Sequence, residues 1–123
     1  MTELDVLIVD DHEAMRVLLR AALLRAGISR VRDASSGEDA LALITEGAPN
    51  LILCDWRMPE MDGLTFVRRV RDTLGAEGCR IIMITGQGGD VARAQALAAG
   101  ADALLAKPVS PRDLLAAIGA LYA

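Results

Sequence analysis

The sequence is short of aromatic residues, histidine and cysteine, and each shortage excludes something. Trp56, Phe66 and Tyr122 are the only aromatics in 123 residues, so a core must be packed from Ala, Leu, Val and Ile. The hydrophobic fraction of 53% and mean hydropathy of +0.34 supply enough of them. Cys54 and Cys79 lie in or beside hydrophobic runs, with no second Cys or His at metal-ligand spacing, and read as buried free thiols. No apolar run approaches the roughly 20 residues of a spanning helix, so membrane insertion is not expected. The start, Met1-Thr2-Glu3-Leu4-Asp5, is acidic where a secretion signal is basic, which points to the cytoplasm. The net charge of −4 offers no basic face for a direct grip on nucleic acid. The length suits one domain, residues 1–123.

What is present is an alternation. Apolar runs at Val6–Val9, Leu51–Cys54, Ile81–Ile84 and Ala103–Ala106, with a weaker one at Arg30–Ala34, read as strands. Helical periodicity occupies the intervals His12–Ala26, Gly37–Glu46, Leu64–Thr73, Asp90–Ala99 and Pro111–Leu121. Gly27, Gly47, Gly75 and Gly100 stand where the first four helices should stop, and Ser36 and Ser110 where two should be capped. Strands apolar on both faces and joined by helices imply an α/β fold with a covered parallel sheet. The polar run Val31-Arg32-Asp33-Ala34 suits an edge. The strand order 2-1-3-4-5 is adopted from doubly wound sheets of this size and is not read from the residues.

Open parallel sheets bind ligands beyond the carboxyl ends of their strands. Four apolar strands, taken as the central ones, run into Asp10-Asp11, Asp55, Thr85 and Lys107. Singly, each has a plain reading: helix capping for the acidic pair, a loop start for Asp55, a strand residue for Thr85, a solvated charge for Lys107. Together on one rim they describe a site. Three carboxylates and one ammonium leave a deficit of two charges, which a divalent cation cancels. An all-oxygen donor set suits Mg²⁺ better than zinc. A phosphoryl group on Asp55 would be bridged by the cation, paired by Lys107 and hydrogen-bonded by the Thr85 hydroxyl. His12 reads as a solvated first-turn residue.

These motifs resemble the receiver domain of two-component response regulators, over essentially the whole chain. Val6–Asp11 resembles the family's first strand and acidic pair, and Leu51–Pro59 its phosphoacceptor strand and loop. Met61-Asp62-Gly63, Thr85 and Lys107-Pro108 match in order. The resemblance implies a flavodoxin-like (βα)5 fold and Mg²⁺ held by Asp11, Asp55 and the Arg57 backbone carbonyl, with Asp10 assisting through water. It also implies a signalling switch and not an enzyme in the usual sense, which takes phosphate on Asp55 from a histidine kinase or histidine phosphotransfer protein. Arg57 and Gln87 fall where the family sets the lifetime of the phosphate.

Two positions depart from the family. Leu104 stands where a switching Tyr or Phe is usual, and Gly86-Gln87-Gly88-Gly89 forms a permissive loop after Thr85. Helix one carries an apolar stripe at Met15, Leu18, Leu19, Ala22, Leu23 and Ala26, and a second at Ala14, Val17, Ala21 and Leu24. The sheet can bury only one, and the other is a candidate for partner docking. Rival readings fit less well. A flavin carrier wants a phosphate loop where Asp-Asp-His-Glu stands, and an Asp-nucleophile phosphatase wants a second Asp at the position of Arg57. A phosphate-independent adaptor has no need of the five polar rim residues.

Overall fold

A strand flanked by helices on both sides sends apolar residues alternately up and down, and these strands do so throughout. The computed structural model describes residues 3–75 and 78–122. Its elements are β1 (Asp5–Val9), α1 (Glu13–Arg25), β2 (Arg30–Ala34), α2 (Gly37–Glu46) and β3 (Leu51–Asp55). They continue as α3 (Gly63–Leu74), β4 (Arg80–Thr85), α4 (Asp90–Ala99), β5 (Ala103–Ala106) and α5 (Pro111–Leu121). Met1, Thr2 and Ala123 lie outside the described residues, so the expectation drawn from the extreme N-terminus has no structural counterpart.

All strand pairs are parallel, in the order β2-β1-β3-β4-β5. β2 is an edge, as its polarity indicates. β5, grouped with the central strands on its sequence, is the other edge: it pairs with β4 alone, and its residues are only half-buried or exposed. Leu7, Val9, Ile52, Cys54, Ile81 and Met83 face α2, α3 and α4, where Phe66 is fully buried. Their strand neighbours Val6, Ile8, Leu51, Leu53, Ile82 and Ile84 face α1 and α5. That period of two covers both faces of the sheet. Each such side chain, fully buried, stabilises the fold by about 1.5–3 kcal/mol.

Caps set the helix starts. Ser36 Oγ accepts from the Asp39 amide at 3.1 Å and Ser110 Oγ from the Asp113 amide at 3.0 Å, both as expected. Asp62 caps α3 in the same way, accepting from Thr65 at 2.9 Å. Gly27, Gly75 and Gly100 stop their helices at positive φ, whereas Gly47 is extended at −179° and uses no glycine-specific conformation.

Arg71 fastens the rim opposite the candidate site. Its guanidinium donates to the carbonyls of Cys79 at 2.7 Å and Gly100 at 2.9 Å, and to Asp102 Oδ2 at 3.0 Å. Asp102 Oδ2 also accepts from the Ile81 amide at 2.8 Å, so one side chain ties α3 to the approaches of β4 and β5.

On α1, the first apolar stripe divides. Leu19, Ala22 and Leu23 are buried and Met15 is half-buried, but Leu18 and Ala26 are exposed. The second stripe stays outside: Val17 is 60% and Leu24 50% exposed. The helix therefore shows solvent a broader apolar face than one unburied stripe.

Candidate functional site

Among the described residues, Asp10, Asp55 and Thr85 are the buried polar side chains, at 1%, 3% and 6% exposure. All three stand at the carboxyl ends of interior strands, where β1, β3 and β4 lie side by side. Such groups are costly to bury without partners, so what each of them meets defines the site.

Asp55 meets Lys107. The ammonium reaches over from the end of β5 to within 3.0 Å of Asp55 Oδ1. Burial pushes the Asp55 carboxyl above its ordinary value of 3.8, the Lys107 hydrogen bond pulls it back, and Asp10 and Asp11 raise it again. The upward effects win. Burial is the largest of these, and by count the carboxylates of Asp10, Asp11 and Asp55 exceed the one lysine.

Asp10 Oδ1 accepts from the His12 amide at 2.8 Å, a turn just ahead of α1; His12 is the N-cap and the helix has no side-chain cap, so Asp10 does not cap it. Its other oxygen, Oδ2, is buried with no partner, and so is Asp11 Oδ1. Buried carboxylate oxygens without donors are rare and call for a water or an ion as partner. One ligand atom from each of Asp10, Asp11, His12 and Asp55 lies within 4.8 Å of the others. The orphaned oxygens, the charge deficit and the donor set together fit a divalent cation.

His12 is solvated, as the sequence reading has it, but it does not stand apart from the pocket. Its side chain is 66% exposed, but Nδ1 stands 3.2 Å from Asp10 Oδ1 and 3.3 Å from Asp11 Oδ1. The second approach lacks hydrogen-bond alignment, so Asp11 Oδ1 still has no donor. An imidazole nitrogen thus stands beside a donor set that the sequence presented as oxygen alone. The available signal was position: the residue directly after the acidic pair is the N-cap of α1 and turns back over it.

The remaining predicted residues sort by distance from Asp55. Arg57, Thr85, Gly86, Gln87 and Lys107 line, with His12, Asp55 and Trp56, a cleft of about 290 Å³. Thr85 Oγ1 faces its own loop. It accepts from the Gln87 amide at 3.1 Å and donates to the Gln87 carbonyl at 3.3 Å. The Arg57 guanidinium reaches Gln87 Oε1 at 3.5 Å, so these two side chains touch across the cleft mouth. Pro108 follows Lys107 through a cis peptide bond and is exposed. Leu104 lies outside the cleft and packs on the core between the sheet and α2, α3 and α4.

Gly63 sits against the end of β3 for a steric reason. A Cβ there would stand 2.6 Å from the Asp55 carbonyl oxygen and 2.9 Å from Trp56 Cα. The Gly63 amide donates to the Trp56 carbonyl at 2.7 Å, which locks the start of α3 to the end of β3.

An open parallel sheet with its polar pocket where the strand order reverses, beyond β1 and β3, defines the flavodoxin-like class. Within that class the chain belongs to the response regulator receiver domain family, whose model matches residues 6–119. It is 35% identical over 120 residues to a probable chemotaxis protein CheY of Rhizobium etli, covering 98% of this chain and 93% of that one. The solved structure of the chemotaxis response regulator CheY4 of Vibrio cholerae matches with a TM-score of 0.90 at 31% identity, covering 98% and 99% of the two chains. A putative response regulator from Chloroflexus aurantiacus matches with a TM-score of 0.87 at 36% identity, covering 98% of each. Receiver domains are signalling switches of two-component systems, not enzymes in the usual sense, and they bind Mg²⁺ at an acidic pocket. The flavin-carrier and phosphatase readings give way to this family. No helix among the described residues is long and apolar enough to cross a membrane.

Proposed function

We propose that residues 1–123 work as a single receiver domain in which Asp55 takes a phosphoryl group from the phosphohistidine of a histidine kinase or histidine phosphotransfer protein. The observation that carries this is the buried Asp55 carboxylate, held at 3.0 Å by Lys107 beside two further carboxylates with orphaned oxygens. An Asp55 oxygen attacks phosphorus, the P–N bond of the donor breaks, and the released imidazole takes up a proton. Asp10, Asp11, Asp55 and the Arg57 carbonyl hold Mg²⁺, which when bound offsets the charge on the phosphoryl oxygens. Lys107 stays paired with the new group. The Thr85 hydroxyl gives up the Gln87 carbonyl and donates to a phosphoryl oxygen. Hydrolysis returns the site to its start, at a rate set by Arg57 and Gln87 over the cleft mouth.

The response runs through the glycine loop. Thr85 holds Gln87 by two hydrogen bonds, so turning its hydroxyl toward phosphate changes the hold on Gly86–Gly89. With Leu104 packed on the core and no aromatic in its place, that loop carries the signal in this reading. The apolar face of α1 at Val17, Leu18 and Leu24 receives the partner's helices beside Asp55, in the cytoplasm, and the output passes to a downstream protein.

The test is intact mass after incubation with acetyl phosphate, with and without Mg²⁺, for wild type and Asp55→Ala. A single phosphoryl adduct that requires both Mg²⁺ and Asp55 is expected. An adduct on Asp55→Ala would overturn the assignment, and no adduct on wild type would favour the phosphate-independent adaptor.

A further inference from the structure

We infer that His12 supplies a nitrogen ligand to the cation of the acidic pocket, so that this chain holds nickel- and zinc-class ions more tightly than a pocket of oxygens alone. The inference rests on the proposed cation site and concerns which ions it selects.

His12 Nδ1 lies 3.2 Å from Asp10 Oδ1 and 3.3 Å from Asp11 Oδ1, and the four candidate ligand atoms lie within 4.8 Å of one another. Ligands about 2.0–2.2 Å from a common ion stand roughly 3–4.4 Å apart, so small side-chain rotations gather this set around one centre. Asp10 points independently to a missing occupant: it is 1% exposed, and its Oδ2 has no partner. The His12 side chain caps nothing in α1, and its hydrogen bond is to Asp10 of the same pocket. In the structure Nδ1 donates to Asp10 Oδ1 at 3.2 Å; on cation binding the ring proton would shift to Nε2, and Nδ1 would present its lone pair to the ion. Carboxylates alone suit Mg²⁺ and Mn²⁺, whereas imidazole shifts preference toward nickel, copper and zinc. His12 is the sole histidine in the chain, and Cys54 and Cys79 are buried, so no other soft ligand competes for such ions.

The experiment is calorimetric titration of the untagged full chain with Mg²⁺ and, separately, with Ni²⁺, for wild type, His12→Ala and Asp11→Asn. The ring is two-thirds open to water, so His12→Ala should keep the fold, which its urea unfolding curve checks. Ni²⁺ affinity is expected to fall about tenfold or more in His12→Ala, the scale on which metal sites respond to losing an imidazole partner. Mg²⁺ affinity should change by less than about threefold, because Mg²⁺ gains little from nitrogen. An unchanged Ni²⁺ affinity, or an equal loss for both ions, overturns the inference. Asp11→Asn keeps the two levels separate. If it loses Mg²⁺, the pocket stands whatever His12 does; if wild type binds no Mg²⁺, or Asp11→Asn binds it as wild type does, the proposed cation site itself is wrong.

Discussion

Two substitutions at the Asp55–Lys107 pair should move stability in opposite directions. At 3.0 Å and an effective dielectric of about 20, the attraction is about 5 kcal/mol before desolvation is counted. Lys107 retains 27% exposure, so solvent screens part of this, and Lys107→Ala should cost about 2–3 kcal/mol at neutral pH without divalent ions. Asp55→Asn should do the reverse. Burial and the two neighbouring carboxylates outweigh Lys107 and hold the Asp55 carboxyl above its ordinary value, so the ionised form burdens the fold. A neutral isostere of the same shape removes that burden, and the variant should be more stable than wild type. The pH dependence has a definite sign. The folded state holds the Asp55 proton more tightly than the unfolded chain, so stability falls as pH rises from the ordinary 3.8 through the raised folded value. Asp55→Asn should lose this slope and Lys107→Ala steepen it. Mg²⁺ at ten times its dissociation constant should return about 1.4 kcal/mol to wild type and less to Asp55→Asn. Urea unfolding across pH, with and without Mg²⁺, measures all of this. An Asp55→Asn variant less stable than wild type without divalent ions would refute the charge-crowding argument.

Three further outcomes are expected. Gly63→Ala should lose about 2 kcal/mol or more in urea unfolding, because its Cβ would meet backbone atoms of Asp55 and Trp56 that cannot yield cheaply. Arg71→Ala should cost about 2–3 kcal/mol in the same assay, since it leaves two carbonyls at the far rim without their donor and takes from Asp102 its 3.0 Å guanidinium partner, leaving it the Ile81 amide and the looser Arg80. Amide exchange at Gly86–Gly89 should differ between phosphorylated and unmodified protein. Identical exchange there would remove the loop as the carrier of the response.

Local chemistry was legible in the sequence wherever a residue's role depends on its neighbours along the chain. Ser36 and Ser110 cap as expected because capping is a three-residue interaction. The rim residues Asp10, Asp55, Thr85 and Lys107 converge because each follows an apolar strand, and parallel strands finish on one side. What escaped depends on neighbours across the fold. β5 is as apolar as an interior strand, and only its pairing reveals an edge. Leu18 keeps helical step with Leu19 and Leu23, yet it lies where no neighbour covers it. His12 is solvated, as it looked, but exposure and proximity are separate properties. Two-thirds of its side chain is open to water while one nitrogen rests on the carboxylates.

The scarcity of aromatics has an optical consequence. The chain holds one tryptophan and one tyrosine, and they mark opposite ends of the same strand. Trp56 follows β3 at the cleft, while the Tyr122 hydroxyl donates to the carbonyl of Asn50, just ahead of β3, at 2.7 Å. Six residues of extended chain set these ends about 20 Å apart. An event confined to the pocket should therefore change tryptophan emission and leave tyrosine absorbance alone, whereas global unfolding moves both signals together. A native cuvette sample can thus distinguish occupancy from denaturation without an attached dye.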